Sequence, residues 1–411
     1  MIAANKRKKA FDPYRGGFIV PKILRASPQP RKAAYPSPTQ PKKFLDSNRY
    51  LVNFSFPQHI KPMKLPTKFA IATLAIVTAA TSASAQNATT DPVGFVTCNI
   101  TAGTGAAKKN SFISVPLLDT ASSIGGQSVG AISGFSASTI TSASAGWTSG
   151  QLSTASAPYL IQITSGSAKG SMWLISTTVN NTADTVTISA DDQVNTDLTQ
   201  IGLANGDGYK IIPCDTLASL FGTPATTDVL GGANQTVADT LQIVFNGSTK
   251  TYFYSTTLNR WTQQTLGSPD ASNTPLRPYV GIQYGRLANT NLLITATGNV
   301  PVIDREVQVK NSGLTLLSQY WPTDSTLASL GLNTISGWTS GANGTVADTV
   351  QINTTGTTKT FYFDGTNWRQ VTLGSPIRDT EPVPVGSSLI LNQKGSQSGY
   401  STYTQLIPYS L

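Results

Sequence analysis

The strongest constraint on this chain is a stretch that occurs twice. Gly232-Ala233-Asn234, followed by Val237-Ala238-Asp239-Thr240, returns as Gly341-Ala342-Asn343 and Val346-Ala347-Asp348-Thr349. The match continues through Lys250-Thr251-Tyr252-Phe253-Tyr254 against Lys359-Thr360-Phe361-Tyr362-Phe363, then Trp261 against Trp368. It ends at Thr265-Leu266-Gly267-Ser268-Pro269 against Thr372-Leu373-Gly374-Ser375-Pro376. Repetition at fixed spacing is the signature of one structural unit used more than once. Two related units are therefore expected at 215–300 and 325–411, with 301–324 bridging them. In the second unit, Phe361-Tyr362-Phe363, the turn around Asp364-Gly365, and Trp368 read as a β-hairpin, because Asp-Gly supplies the positive φ such turns need.

Residues 86–214 are expected to form a separate N-terminal β module. Val93 to Ile100, Phe112 to Leu118, Tyr159 to Ile163 and Met172 to Ile175 read as buried strands between turn residues. Thr185-Val186-Thr187-Ile188 alternates strictly, so its two apolar residues share a face. Its opening, Ala183-Asp184-Thr185, echoes Ala238-Asp239-Thr240 and predicts a hairpin type in common with the units. Helical signals are confined to single turns at Thr216 to Phe221 and Thr326 to Leu330, with Asp215 and Ser325 as the expected caps. The fold class expected is all-β: an N-terminal β module followed by two related β-sandwich or open-barrel units.

Charge and apolar patterning predict export. The formal net charge is +9, but residues 1–62 hold 13 Lys+Arg against two Asp. Lys64 and Lys68 add two more, which leaves 14 basic against 18 acidic residues in the rest of the chain. The basic total therefore says nothing about partners of residues 86–411, and no nucleic-acid partner is expected. Residues 63–85 have the order of a secretory signal peptide: Lys64 and Lys68, an apolar run from Phe69 to Ala80, and Ala83-Ser84-Ala85 before Gln86. Translation is expected to begin at Met63, with 1–62 an upstream extension lacking packed structure. No later run has the roughly 18 apolar residues of a spanning helix. The expected location is outside the cytoplasm, as periplasmic, surface or secreted protein without a transmembrane anchor.

The chemistry open to such a product is narrow. His59 is the only histidine and lies in the leader, which removes histidine-activated nucleophiles and histidine zinc sites beyond residue 86. Glu306 and Glu381 are the only glutamates. Asp191-Asp192-Gln193-Val194-Asn195-Thr196-Asp197 has the oxygen content of a calcium loop but not its glycine or closing acid, so it reads as a solvated turn. No metal, cofactor or catalytic residue is expected. Tyr252, Tyr254, Phe361 and Phe363 are the candidate ligand-binding residues: those of them that face outward would be sugar-stacking rings and the others would pack the core, where Trp261 and Trp368 are expected. Cys98 and Cys214 are the only cysteines and are expected to form a disulfide closing the N-terminal module.

The signal peptide, Asp91-Pro92-Val93-Gly94-Phe95, the Thr-Leu-Ala-Ser-Leu boundary at Thr216 and Thr326, and the Trp…Leu-Gly-Ser-Pro hairpin resemble an uncharacterised exported family of paralogues from Verrucomicrobia-type bacteria. That resemblance implies export and an envelope setting, and it transfers no activity or site residue. The function expected is non-enzymatic: an envelope or extracellular-matrix protein acting through surface contacts with glycan, other envelope proteins or itself. The alternative is a carbohydrate-active enzyme using a carboxylate pair.

Overall fold

The computed structural model describes residues 92–119, 124–245, 248–354, 356–395 and 398–409. The expected upstream extension and signal peptide, 1–62 and 63–85, lie outside the described residues. The chain enters through β1 (Val93–Ile100) and β2 (Lys109–Ile113). Seven short strands follow: β3 (Val129–Ala131), β4 (Gly134–Phe135), β5 (Thr139–Thr141), β6 (Tyr159–Ile163), β7 (Met172–Leu174), β8 (Thr185–Thr187) and β9 (Gly208–Pro213). The single-turn helix α1 (Ala190–Gln193) precedes β9, and α2 (Leu217–Phe221) follows it. Next come β10 (Thr240–Phe245), β11 (Ser248–Ser255), β12 (Arg260–Gln263), β13 (Ile282–Arg286) and β14 (Leu292–Asn299). The remainder is β15 (Arg305–Lys310), β16 (Ser312–Ser318), β17 (Ser325–Thr326), β18 (Thr349–Thr354), β19 (Thr357–Phe363), β20 (Trp368–Gln370), β21 (Pro382–Val383), β22 (Ser388–Lys394) and β23 (Tyr400–Gln405). The protein is mostly β, in several antiparallel sheets, as its β-branched and turn-rich sequence predicts. Among the described residues no helix is long and apolar enough to cross a membrane.

Two five-stranded sheets carry the architecture, one in the order β12-β11-β10-β13-β2 and the other in the order β20-β19-β18-β22-β16. The orders correspond strand for strand, and so do the registers. Leu241 pairs with Tyr252 where Val350 pairs with Phe361, and Tyr254 pairs with Trp261 where Phe363 pairs with Trp368. A two-stranded ribbon accompanies each sheet, β1–β14 beside the first and β15–β23 beside the second. The sheets also touch reciprocally. Ile113 pairs with Ile282 and Leu317 with Leu389, and each reaches across to the other sheet, Ile113 to Ser387 and Leu317 to Val280. Exchange of equivalent residues is the pattern of a two-fold contact, here within one chain.

These pairings correct two expected boundaries. Strands β1 and β2 do not belong to a module spanning 86–214; they pair with β14 and β13, outside it. Likewise 301–324 is no simple bridge, since β15 and β16 pair with β23 and β22. The smaller module begins after Asp119 and ends at Cys214. It holds a four-stranded sheet (β3-β9-β6-β7) and a three-stranded one (β4-β5-β8) around its own core of Trp147, Ile161, Trp173 and Ile211. Its two ends meet closely enough that the charge of Asp215, after burial itself, raises the pKa of Asp119. It is thus an insertion between two nearby points of the first sheet's scaffold. In the second half the counterparts of Ser114 and Thr216, Ser318 and Thr326, are joined by Gln319 to Ser325 alone.

Each half has its own core, Leu217, Phe221, Leu241 and Trp261 in the first and Leu327, Val350, Phe361 and Trp368 in the second. A further cluster, including Leu174, Cys214, Tyr279, Tyr320 and Trp321, packs the insertion against both halves. The expected helical turns start with the same reciprocal cap. Thr216 Oγ1 accepts from Ser219 N at 3.1 Å and Ser219 Oγ from Thr216 N at 2.8 Å; Thr326 and Ser329 repeat both distances. The caps are these threonines, not Asp215 and Ser325, because the threonine is the residue three before the serine that completes the box. In the second half this turn stays irregular rather than helical.

Candidate functional site

A cleft of about 590 Å³ lies between the insertion and the first sheet. One wall is α1 with the Ser176–Thr178 loop; the other is the β10–β11–β12 surface with Thr274 and Arg277. Its lining mixes hydroxyl, amide and charged groups with the apolar side chains of Leu174, Ala190, Val194, Ile243 and Pro275, and Phe245 and Tyr252 are the aromatic components. Among the described residues the second half has no insertion to supply the facing wall.

Asp192 anchors the cleft wall. Ser189 caps α1, its Oγ accepting from Asp192 N, and the Asp192 carboxylate folds back over that cap. Asp192 Oδ2 accepts from Leu174 N at 3.0 Å and from Ser189 Oγ at 2.8 Å, while Tyr279 OH donates to Oδ1 at 3.1 Å. These bonds tie the insertion to the first sheet's scaffold. Burial pushes the Asp192 carboxyl above the usual carboxylate range, with Arg277 and the hydrogen bonds working against that shift. The turn expected to be solvated is therefore only partly so: Asp192 is 2% exposed, whereas Asp197 sits outside and accepts from Thr199 N in an Asx turn.

Arg277 lies between the wall and the cleft. Its Nε is 3.6 Å from Asp192 Oδ2 and its NH2 group 3.4 Å from Asp191 Oδ2, and its side chain is only 8% exposed. The guanidinium stacks 4.4 Å above the Phe245 ring. Burial disfavours its charge, but Asp192, Tyr279 and Asp191 together hold its pKa above the ordinary arginine value. Nε makes no hydrogen bond within the protein. Asp192 was legible only as part of a turn expected to be solvated, and Arg277 carried no sequence signal; a lone arginine after Pro275-Leu276 looks like any surface charge until the fold brings α1 to it.

The expected stacking rings distribute differently. Tyr252 is 4% exposed and its edge lines the cleft. Tyr254, Phe361 and Phe363 are not outward platforms. Tyr254 packs edge-on to Trp261 at 5.9 Å, Phe361 is wholly buried, and Phe363 packs half-buried against Trp368 at 5.5 Å. The cause is that both faces of the aromatic strand are covered. The rings opposite the tryptophans enter the core, and the intervening Tyr362 lies under the 341–347 loop, its hydroxyl donating to Ala342 O at 3.2 Å. Trp261 and Trp368 are each 1% exposed, in the core as expected.

The expected disulfide is a correction. Cys98 and Cys214 are separate, buried, free thiols. Cys98 donates to Ser114 O and Gly386 O, while Cys214 donates to Asp215 O and Leu276 O. Because β1 pairs with β14 rather than with the insertion, it carries Cys98 into the first core and away from the junction cluster that holds Cys214. Burial pushes the Cys98 thiol up to about 12. Among the described residues no cluster of three or more metal-ligating side chains occurs.

What the cleft offers chemically is hydrogen bonding and an aromatic edge. Its one lining carboxylate, Asp191, faces Arg277 rather than a second acid. No protein-family model, curated protein or solved structure matches the chain.

Proposed function

We propose that this chain is a non-enzymatic exported protein of the cell envelope or matrix that binds a glycan in the cleft between the insertion and the first sheet. The observation that carries this reading is the lining: Ser, Thr and Gln side chains, Lys250, Arg277 and the Tyr252 edge, spread over both walls among apolar side chains. Sugar hydroxyls need many directional partners and a little apolar ring surface, which this lining supplies. Carboxylate-type hydrolysis needs two facing acids about 5–10 Å apart, and Asp191 alone, already paired with Arg277, does not provide that arrangement.

The test uses the full chain on a glycan array, followed by calorimetry on the best ligand. Lys250→Ala with Gln263→Ala is expected to weaken binding at least tenfold with an unchanged unfolding midpoint, because Lys250 is exposed and Gln263 half-buried. Release of reducing ends from that glycan, or binding indifferent to both substitutions, would overturn the reading.

A further inference from the structure

The two-stranded ribbons beside the sheets are counterparts, yet their outer edges end differently. In β15–β23 the residues paired through hydrogen bonds to β23 leave Glu306 facing outward, and the insertion closes that side. Glu306 N donates to Gly170 O at 3.2 Å and Ser171 Oγ to Glu306 Oε2 at 2.9 Å. The approach is tight: Gly170 has φ +97°, and a Cβ there would lie 2.1 Å from Asp304 O. The chain's own turn therefore caps this edge.

In β1–β14 the counterpart edge is open. Val300 N donates to Pro92 O, so Gly94, Val96, Cys98 and Ile100 direct their backbone groups to β14. Val93, Phe95, Thr97 and Asn99 direct theirs away, and no strand pairs with them among the described residues. Sheets protect such edges with charges, bulges or covering segments. This strand has none of the first: Val93–Ile100 contains no charged residue, whereas β15 contains Arg305, Glu306 and Lys310. Val93 is 73% and Phe95 74% exposed, and Leu293 on the neighbouring strand is 63% exposed.

We infer that β1 is a self-association edge, and that its occupant is β1 of a second copy of this chain, paired antiparallel about a two-fold axis at Val96. The register follows from the backbone. With Val96 on the axis, Phe95 stands opposite Thr97 of the second copy and Val93 opposite Asn99. Every outward-facing residue then meets an outward-facing residue, so amides meet carbonyls along the strand. The exposed apolar side chains of both copies fall on one continuous face. Because the strand is uncharged, self-pairing places no like charges opposite each other. The contact is isologous and closes at two copies. An uncharged edge offers nothing to an acidic or basic partner, which favours a second copy of this strand.

The test measures mass by light scattering on the full chain across concentrations. A dimer is expected for the native chain and a monomer for Phe95→Lys, which alters an exposed side chain and leaves the β1–β14 pairing and the circular dichroism unchanged. Register is tested separately by Phe95→Cys with Thr97→Cys, which is expected to cross-link two copies under mild oxidation, while the buried Cys98 and Cys214 do not. A native chain that stays monomeric at high concentration, a dimer that survives Phe95→Lys, or a cysteine pair that fails to cross-link the dimer would each overturn the inference. Glycan binding by the monomeric variant is expected to match the native chain, so this edge and the cleft stand or fall independently.

Discussion

Asp239 and Asp348 occupy the same place in the two halves and perform the same backbone task with different neighbours. Each is wholly buried at the start of a central strand. Asp239 accepts from Leu230 N at 2.9 Å and Leu287 N at 2.8 Å; Asp348 accepts from Thr339 N at 2.8 Å and Lys394 N at 2.6 Å. In the first half the charge is also met by Arg286 at 2.5 Å and Tyr284 OH at 2.9 Å. In the second half the position of Arg286 is held by Gln393, 2% exposed, whose amide nitrogen and oxygen both lack a partner within the protein. The comparison separates what the fold requires, an acceptor stitching two segments together, from what one half adds, a buried ion pair.

The largest effect is expected from breaking that ion pair. Asp239→Asn leaves Arg286 buried without its counter-charge and should cost about 3–5 kcal/mol. Asp348→Asn removes no ion pair and should cost about 1–3 kcal/mol, the penalty for an imperfectly matched buried hydrogen-bond group. Denaturant unfolding of both variants checks the difference, and equal losses would mean that the arginine contributes nothing to the first half.

The equivalent side chains beside these acids sharpen the contrast by changing its sign. Gln393→Met replaces an unpartnered buried amide with an apolar side chain of similar length, and is expected to be neutral or to stabilise by about 1 kcal/mol. Arg286→Met strands Asp239 and is expected to destabilise by several times that amount. Thermal unfolding of the pair tests this; destabilisation by Gln393→Met would show that its amide is satisfied in solution.

The repeated sequence made the central sheets legible, because aromatic strands, an Asp-Gly turn and the threonine cap all act locally. The outer strands were illegible for a different reason. β1 and β2 share no residue pattern with β15 and β16, and with the insertion between them and their partners the paired residues lie 169 to 206 positions apart in the chain, a distance local patterning does not bridge. The Ala-Asp-Thr echo at Asp184 also misleads: that aspartate is exposed and accepts from Thr182 and Thr185 hydroxyls, unlike the buried acids of the halves. The disulfide failed through the same misplaced β1. Export-compartment logic permits a bond but does not bring two strands together. Of the cleft, only Tyr252 was visible, because the rest of the wall is ordinary Ser, Thr and Lys made into a site by the insertion.

The smallest expected effect concerns the hairpin tips, where the halves differ by two residues. In the second half, Asp364 Oδ1 accepts from Thr366 N and Asn367 N at 2.8 Å each, and Arg369 Nε binds Oδ2. Arg369 first, then the two backbone amides, hold the Asp364 carboxyl down at about 2. The first half turns through Thr256 to Asn259 instead, with Asn259 at φ 51° and no acid in the loop. A depressed carboxylate pKa contributes stability above the unfolded value of about 3.9, and that contribution is lost as pH falls through the folded value. The second hairpin should therefore loosen on acidification from about pH 4 toward pH 2, while the first should not respond through its tip. Carboxyl NMR titration reads this directly: Asp364 should titrate near 2, and Arg369→Gln should move it up but leave it below 3.9, because both amide donors remain. The group is exposed enough that its effect on global stability stays small. Titration of Asp364 at the ordinary aspartate value would show that the tip's ion pair does not persist, and the two hairpins would then differ only in length.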